Sequence, residues 1–136
     1  MEPALVTAVD SSVLLDVLTD DPAFGRESLR RLRGARGAGA LVICPIVWAE
    51  VRGSFEDAGR MDAAFAEAGI GFDPFDQKCA EIAGTSWRAY RRGGGTRTRP
   101  VADFLIGAHA QVRGGRLLTR DRGFFRRYFE AVELVG

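Results

Sequence analysis

The stretch VTAVDSSVLLDVL, residues 6–18, places a carboxylate between two apolar segments. The run that ends at Val9 has the length of a buried strand. The segment after it has helical spacing, with Ser11 or Ser12 available as the cap. Asp10 is therefore predicted to lie where a strand ends and a helix begins. In a parallel α/β sheet, ligands bind at this edge.

Strands and helices alternate along the rest of the chain. Apolar runs at 41–44, 116–119 and 131–135 predict further strands, and 70–75 is a weaker strand or turn. The segments between these runs have helical spacing, and no hairpin turn signal separates the strands. This order predicts an α/β fold in which helices cover both faces of a mostly parallel central sheet.

Proline or aspartate marks several helix starts. Asp21 and Pro22 are predicted to begin one helix, with proline in the first turn, and Pro45 and Pro100 to begin two others. Asp76 is predicted to cap a helix that runs to the arginines before the triple glycine.

Length and composition indicate one folded domain over residues 1–136. Apolar residues make up 46% of the chain and charged residues 27%, as in ordinary globular proteins. The apolar run that stops at Asp10 follows no basic segment and is too short for a signal peptide or a membrane span, so we expect a cytoplasmic protein with no membrane association. Cys44 and Cys79 lack the spacing of zinc or redox pairs and are expected to be buried thiols.

Charge is unevenly distributed along the chain. Residues 1–76 contain seven arginines and 13 acids, whereas residues 77–136 contain 12 basic residues and five acids. An anionic partner of the second half and a solvated arginine-rich surface explain this asymmetry equally well.

Four acidic residues have suggestive positions. Asp10 ends the first strand, and Asp121 follows the strand at 116–119 by two residues. Glu50 points away from the Trp48 face of its helix, while Asp103 lies in the first turn of an apolar helix, where the helix dipole favours a negative charge. Each acid alone has an ordinary explanation as a cap, surface or turn residue. Acids that converge in one cleft would repel, and a hard divalent cation is the usual compensation.

Four segments resemble a known family. VDSSVLLDVL, PIVWAEV, RPVADFLIGAHA and LLTRD are similar, in order and spacing, to the motif regions of PIN-domain ribonucleases, specifically the VapC-type toxins of bacterial type II toxin-antitoxin modules. The resemblance spans nearly the whole chain and implies a PIN-like three-layer α/β/α fold. It assigns catalysis and metal binding to four acids: Asp10, Glu50, Asp103 and Asp121. Thr119 matches the hydroxyl residue of the TxD motif, and Ser12 stands where many members carry Asn, so both are expected to support Asp10.

The resemblance also implies an activity and partners. It implies an endoribonuclease that hydrolyses RNA phosphodiester bonds with Mg²⁺ or Mn²⁺, a homodimer, and a cognate antitoxin that blocks the active site. An acidic cleft repels phosphate, so basic residues are needed around it. Arg97, Arg99 and Arg120 flank the acids in sequence and are expected to contact RNA phosphates, with a merely solvated loop as the alternative for the first of them.

Other readings of the sequence remain open at this stage. A non-catalytic RNA-binding scaffold of the same fold is the main alternative, although the retention of all four acids argues against it. A receiver-like signalling domain lacks an evident lysine partner, because Lys78 is the only lysine. His109 lies six residues from Asp103, about 240° around a helix, so we expect it to be packed away from the acids. Trp48 is expected to pack in the core, with a partner groove as the alternative.

Overall fold

A computed structural model of the chain describes residues 5–94 and 99–136. The strands in these ranges are β1 (Leu5–Val9), β2 (Gly39–Ile43), β3 (Ile70–Phe72), β4 (Arg116–Leu118) and β5 (Glu133–Val135). They form one sheet in the order β3-β2-β1-β4-β5, and every neighbouring pair is parallel. The predicted mostly parallel sheet is therefore confirmed.

Helices connect successive strands. Within the described ranges they are α1 (Ser11–Leu18), α2 (Gly25–Ala38), α3 (Pro45–Arg52), α4 (Ala58–Ala68), α5 (Gln77–Arg92), α6 (Val101–Val112) and α7 (Arg122–Tyr128). Together with the central sheet they form the expected α/β/α fold. None of the helices in these ranges is long and apolar enough to cross a membrane.

The central strand β1 pairs with β4, although more than 100 residues separate the two strands in the sequence. Ala8 pairs with Leu117 and Val9 with Leu118, and the backbone N–H of Asp10 donates to the Leu118 carbonyl at 2.9 Å. Because parallel strands end at the same edge, this register brings the residues after β1 next to those after β4.

An aromatic cluster fixes α6, the helix that carries Asp103. The Phe104 ring is completely buried. It contacts five other rings, those of Trp87, Tyr90, Phe124, Tyr128 and Phe129. One turn further on, a Cβ on Gly107 would lie 2.5 Å from the Phe129 ring, so glycine allows α6 to approach this ring closely.

Of two predicted helix starts, the one at Asp76 is confirmed and the one at Pro22 is wrong. The Asp76 carboxylate accepts a hydrogen bond from the N–H of Cys79 at 2.9 Å, which confirms it as the cap of α5. The predicted start at Pro22 is wrong, because α2 begins at Gly25. Asp21 instead accepts bonds from two backbone N–H groups in a turn before the helix, which satisfies donors that a helical turn would otherwise use.

Two predictions about side chains in the core also hold. Cys44 and Cys79 are buried and free, and burial raises the pKa of each thiol. Trp48 packs edge-to-face against Phe65 and Phe72, with ring centroids 5.6 and 5.5 Å away. Trp48 is thus half-buried and packs against the core, as expected, while part of the residue stays exposed.

Candidate functional site

The hydroxyl of Thr119 connects two of the acids at the edge of the sheet. Thr119 Oγ1 donates to Asp10 Oδ2 at 2.7 Å and accepts from the backbone N–H of Asp121 at 3.0 Å. Thr119 is 1% exposed and Asp10 is 7% exposed, so this contact is largely shielded from water. The pairing of β1 with β4 thus brings Asp10 and Thr119, which are far apart in the sequence, into direct contact.

The two serines after Asp10 bind carboxylates instead of capping their helix. Ser12 Oγ donates to Asp10 Oδ2 at 2.9 Å, and Ser11 Oγ donates to Glu50 Oε1 at 2.9 Å. The prediction that one of them caps α1 is wrong, because α1 begins at Ser11 with Asp10 as the N-cap residue, and no side chain caps it. The two serine hydroxyls therefore orient the Asp10 and Glu50 carboxylates.

Charge and burial act together on Glu50 and Asp103. Partial removal from water is the main cause that raises the pKa of Glu50, and the nearby charges of Asp10 and Asp103 add to it. Burial likewise raises the pKa of Asp103, against the opposing hydrogen bond from Arg99, and the charges of Asp10 and Asp121 raise it further. Asp103 therefore lies within electrostatic reach of each of the other three acids assigned from the sequence.

Arg99 occupies the space between two of these acids. Its Nη1 atom donates to Asp103 Oδ2 at 3.1 Å and to Asp121 Oδ2 at 2.8 Å. The guanidinium carbon lies 4.1 Å from the centroid of the Phe124 ring, which gives the cation an aromatic support. The sequence predicts that Arg99 contacts RNA phosphates, whereas in the structure its guanidinium neutralises part of the acidic cluster.

The donor chemistry of the cluster suits a hard divalent cation, since carboxylate oxygens are the ligands that Mg²⁺ and Mn²⁺ prefer. In this structure, however, the carboxylates are hydrogen-bonded to serine, threonine and arginine side chains. Among the residues that the structure describes, no group of three or more His, Cys, Asp or Glu side chains is placed to hold a metal ion.

A buried ion pair adjoins the site and was missed in the sequence. Asp16 on α1 is 4% exposed and accepts two hydrogen bonds from Arg120, at 2.9 and 3.0 Å, and one from Ser28 at 2.7 Å. Its signal was a carboxylate inside the apolar run VLLDVL. Arg120, expected to contact RNA, is therefore engaged by Asp16, and Arg97 lies outside the described residues.

His109 belongs to a separate cluster. It is 1% exposed, and its Nε2 atom lies 2.7 Å from Asp73 Oδ2, which also accepts a bond from Arg113 at 2.7 Å. Burial lowers the pKa of His109, although its contact with Asp73 opposes this. The prediction that the histidine is packed and hydrogen-bonded is confirmed.

Changing Glu50 to Gln is expected to raise the thermal midpoint of the metal-free protein at neutral pH. Gln can still accept the Ser11 bond but carries no charge. Because the pKa of Glu50 in the folded state is raised above 4.5, its contribution to stability is present below that value and is lost as the pH rises through the folded value. The gain from Glu50→Gln should thus grow with pH and stay at about 1–2 °C, since water still reaches the side chain and screens its charge.

Thermal melts in a chelator, from pH 4.5 to about 8, measure this gain. Glu67→Gln on the exposed side of α4 is the matched control, because it removes the same charge away from the cluster. An equal or pH-independent gain in both variants would contradict the electrostatic coupling of Glu50.

Comparison with solved structures identifies proteins of the same fold. A chain of VapBC2 from Rickettsia felis, bound to a DNA fragment from their promoter, superposes with a TM-score of 0.74 at 17% identity, covering 96% of this chain and 97% of that chain. VapBC-1 from nontypeable Haemophilus influenzae gives 0.72 at 14% identity, with 96% of each chain covered. A toxin-antitoxin complex from Klebsiella pneumoniae gives 0.64 at 21% identity, with 88% and 89% covered.

Sequence comparison assigns the family. No functionally curated protein matches the chain significantly. The family model for the PIN domain, however, matches residues 7–130, a range that includes every one of the four acids and both supporting hydroxyl residues. Because this match extends over most of the sequence, the chain belongs to the PIN-domain family.

Proposed function

We propose that this protein is a metal-dependent endoribonuclease and the toxin component of a type II toxin-antitoxin system. PIN domains are generally nucleases, which supports a hydrolase acting on phosphodiester bonds. The observation that carries the proposal is the convergence of Asp10, Glu50, Asp103 and Asp121 at one edge of the sheet, where hydroxyls fix two of the four.

The proposed site contains residues that would bind the metal ion and residues that orient those ligands. Asp10 and Asp103 are proposed as the principal ligands of Mg²⁺ or Mn²⁺, with Glu50 and Asp121 completing the site. Such an ion, when bound, supplies a hydroxide near neutral pH and offsets charge on the phosphoryl group. Thr119 and Ser12 both donate to Oδ2 of Asp10, which orients the carboxylate.

Basic residues near the cluster are proposed to offset its repulsion of RNA phosphates. Arg97 is one candidate from the sequence. Arg99 and Arg120 are both paired with acids in this structure, so their contact with RNA requires that they leave or share those partners. Such contacts would make RNA binding dependent on salt and carry little sequence information.

Incubation of the purified protein with total RNA tests the proposed activity. We expect endonucleolytic fragments in the presence of Mg²⁺ or Mn²⁺ and none in excess chelator, because the acids alone provide no cation at the phosphate. Single-stranded DNA of the same base composition is the matched control, and it should be cleaved at least about 10-fold more slowly if the 2′-hydroxyl is recognised.

Two other outcomes would change the proposal. RNA binding without cleavage under every metal condition would favour the non-catalytic scaffold. Equal cleavage of DNA would make the protein a nuclease without sugar preference.

An antitoxin partner and a homodimer are part of the same proposal. The solved relative from Klebsiella pneumoniae is a toxin-antitoxin complex, and its chain is matched over 89% of its length, which supports a partner protein for this chain. Light scattering on the purified protein measures its oligomeric state.

A further inference from the structure

A single nitrogen atom of Arg99 bonds two carboxylates that belong to different elements. Asp103 lies in the first turn of α6, and Asp121 immediately precedes α7. Nη1 lies 3.1 Å from Asp103 Oδ2 and 2.8 Å from Asp121 Oδ2. The cluster thus already holds one positive charge between two of its acids.

Arg99 and a divalent ion would compete for the negative charge of the same two carboxylates. An ion held by Asp103 and Asp121 would draw on the charge that now accepts the Nη1 protons. The two positive charges would also repel at this short range. Arg99 already engages two of the four acids, through one oxygen of each.

We propose that Arg99 is a built-in counter-ion of the acidic cluster, which a divalent ion displaces from Asp103 and Asp121 when it binds. This inference rests on the proposed metal-dependent function. It makes the affinity for the ion lower than the four acids alone would provide. It also means that the metal-free protein does not bear the full repulsion between its carboxylates.

The surroundings of Arg99 suit displacement better than those of the nearby Arg120. The Arg99 side chain is 32% exposed, and the side chain of Asp121, one of its two acids, is 41% exposed, so water can replace their contact. The Arg120 side chain is itself 43% exposed, but it makes a two-point contact with Asp16, whose side chain is 5% exposed. Loss of that contact would leave a buried charge unpaired, which is far more costly.

Calorimetric titration of Mn²⁺ into the purified protein and into Arg99→Gln tests the competition. Gln removes the charge but keeps a polar side chain, so we expect Arg99→Gln to bind Mn²⁺ about three- to tenfold more tightly than the wild type. Arg122→Gln is the matched control. It removes the same charge next to Asp121, but the Arg122 guanidinium donates to the Val135 carbonyl at 3.3 Å and not to an acid. Its affinity for Mn²⁺ should change much less.

A measurement on the unaltered protein decides the matter even if Arg99→Gln fails to fold. The side-chain Nε–H signal of Arg99, followed by NMR during addition of Mg²⁺, should shift with the same midpoint as ion binding. The corresponding signal of Arg120 should stay in place. An Arg99 signal unmoved by a saturating ion would overturn the inference, as would equal affinities of Arg99→Gln and Arg122→Gln.

Failure of this inference is distinguishable from failure of the proposed function. A wild-type protein that binds no Mn²⁺ and cleaves no RNA would overturn both. A wild-type protein that binds Mn²⁺ and cleaves RNA, with an Arg99 signal that does not respond to the ion, would overturn the role of Arg99 alone.

Discussion

Changing Asp10 to Asn is expected to lower the rate of metal-dependent RNA cleavage about 100-fold or more while the protein remains folded. Asp10 is the most buried of the four acids, and its Oδ2 atom accepts bonds from both Ser12 and Thr119. The amide oxygen of Asn can take the place of Oδ2 and accept both bonds. The variant therefore loses one negative charge at the proposed ion but little of its local structure.

The measurement is the initial rate of RNA cleavage at saturating Mn²⁺, together with circular dichroism to verify the fold. Asp20→Asn is the matched control. Asp20 is exposed beyond the end of α1 with a φ of 49°, a conformation that Asn adopts as readily as Asp. Cleavage by folded Asp10→Asn at the rate of Asp20→Asn would remove Asp10 from the site.

Changing Phe104 to Ala is expected to lower the free energy of unfolding by about 3–5 kcal/mol. The ring is completely buried and contacts five other aromatic rings from α5, from α7 and just after α7, so its removal leaves a cavity that its neighbours cannot fill without losing contacts with each other. The thermal midpoint should fall by about 10 °C or more.

Denaturant unfolding of the metal-free protein measures this loss. Val101→Ala on the same helix is the control, since Val101 is 46% exposed, and its truncation should change stability by no more than about 0.5 kcal/mol. A loss of similar size in both variants would mean that the aromatic cluster does not anchor α6.

The architecture was predictable from the sequence because the signals for it are local. Each strand of the sheet corresponds to a short apolar run, and parallel pairing follows from the helical segments between the runs. The position of Asp10 at a strand end follows from the same pattern. Its closeness to Asp121 follows from the rule that parallel strands end at one edge.

The hydrogen-bond partners within the site could not be predicted in the same way. A serine before an apolar helix signals a cap, but Ser11 donates to Glu50 on α3 and Ser12 donates to the Asp10 carboxylate just before its own helix. Arginine side chains are long enough to reach several acids, so sequence position alone did not reveal that Arg99 selects Asp103 and Asp121. The spacing of Arg99 four residues before Asp103 indicates the contact with Asp103, but no local spacing indicates the contact with Asp121.

The pairing of β1 with β4 also sets when the site can exist during protein synthesis. Thr119 reaches back 109 positions to Asp10, and a ribosome must translate past Asp121 before all four acids are present in the chain. Until then β1 lacks one of its two neighbours in the sheet. Prematurely terminated chains that stop before β4 therefore contain Asp10, Glu50 and Asp103 without the segment that aligns them. The proposed activity would thus appear only after β4 and Asp121 have been made.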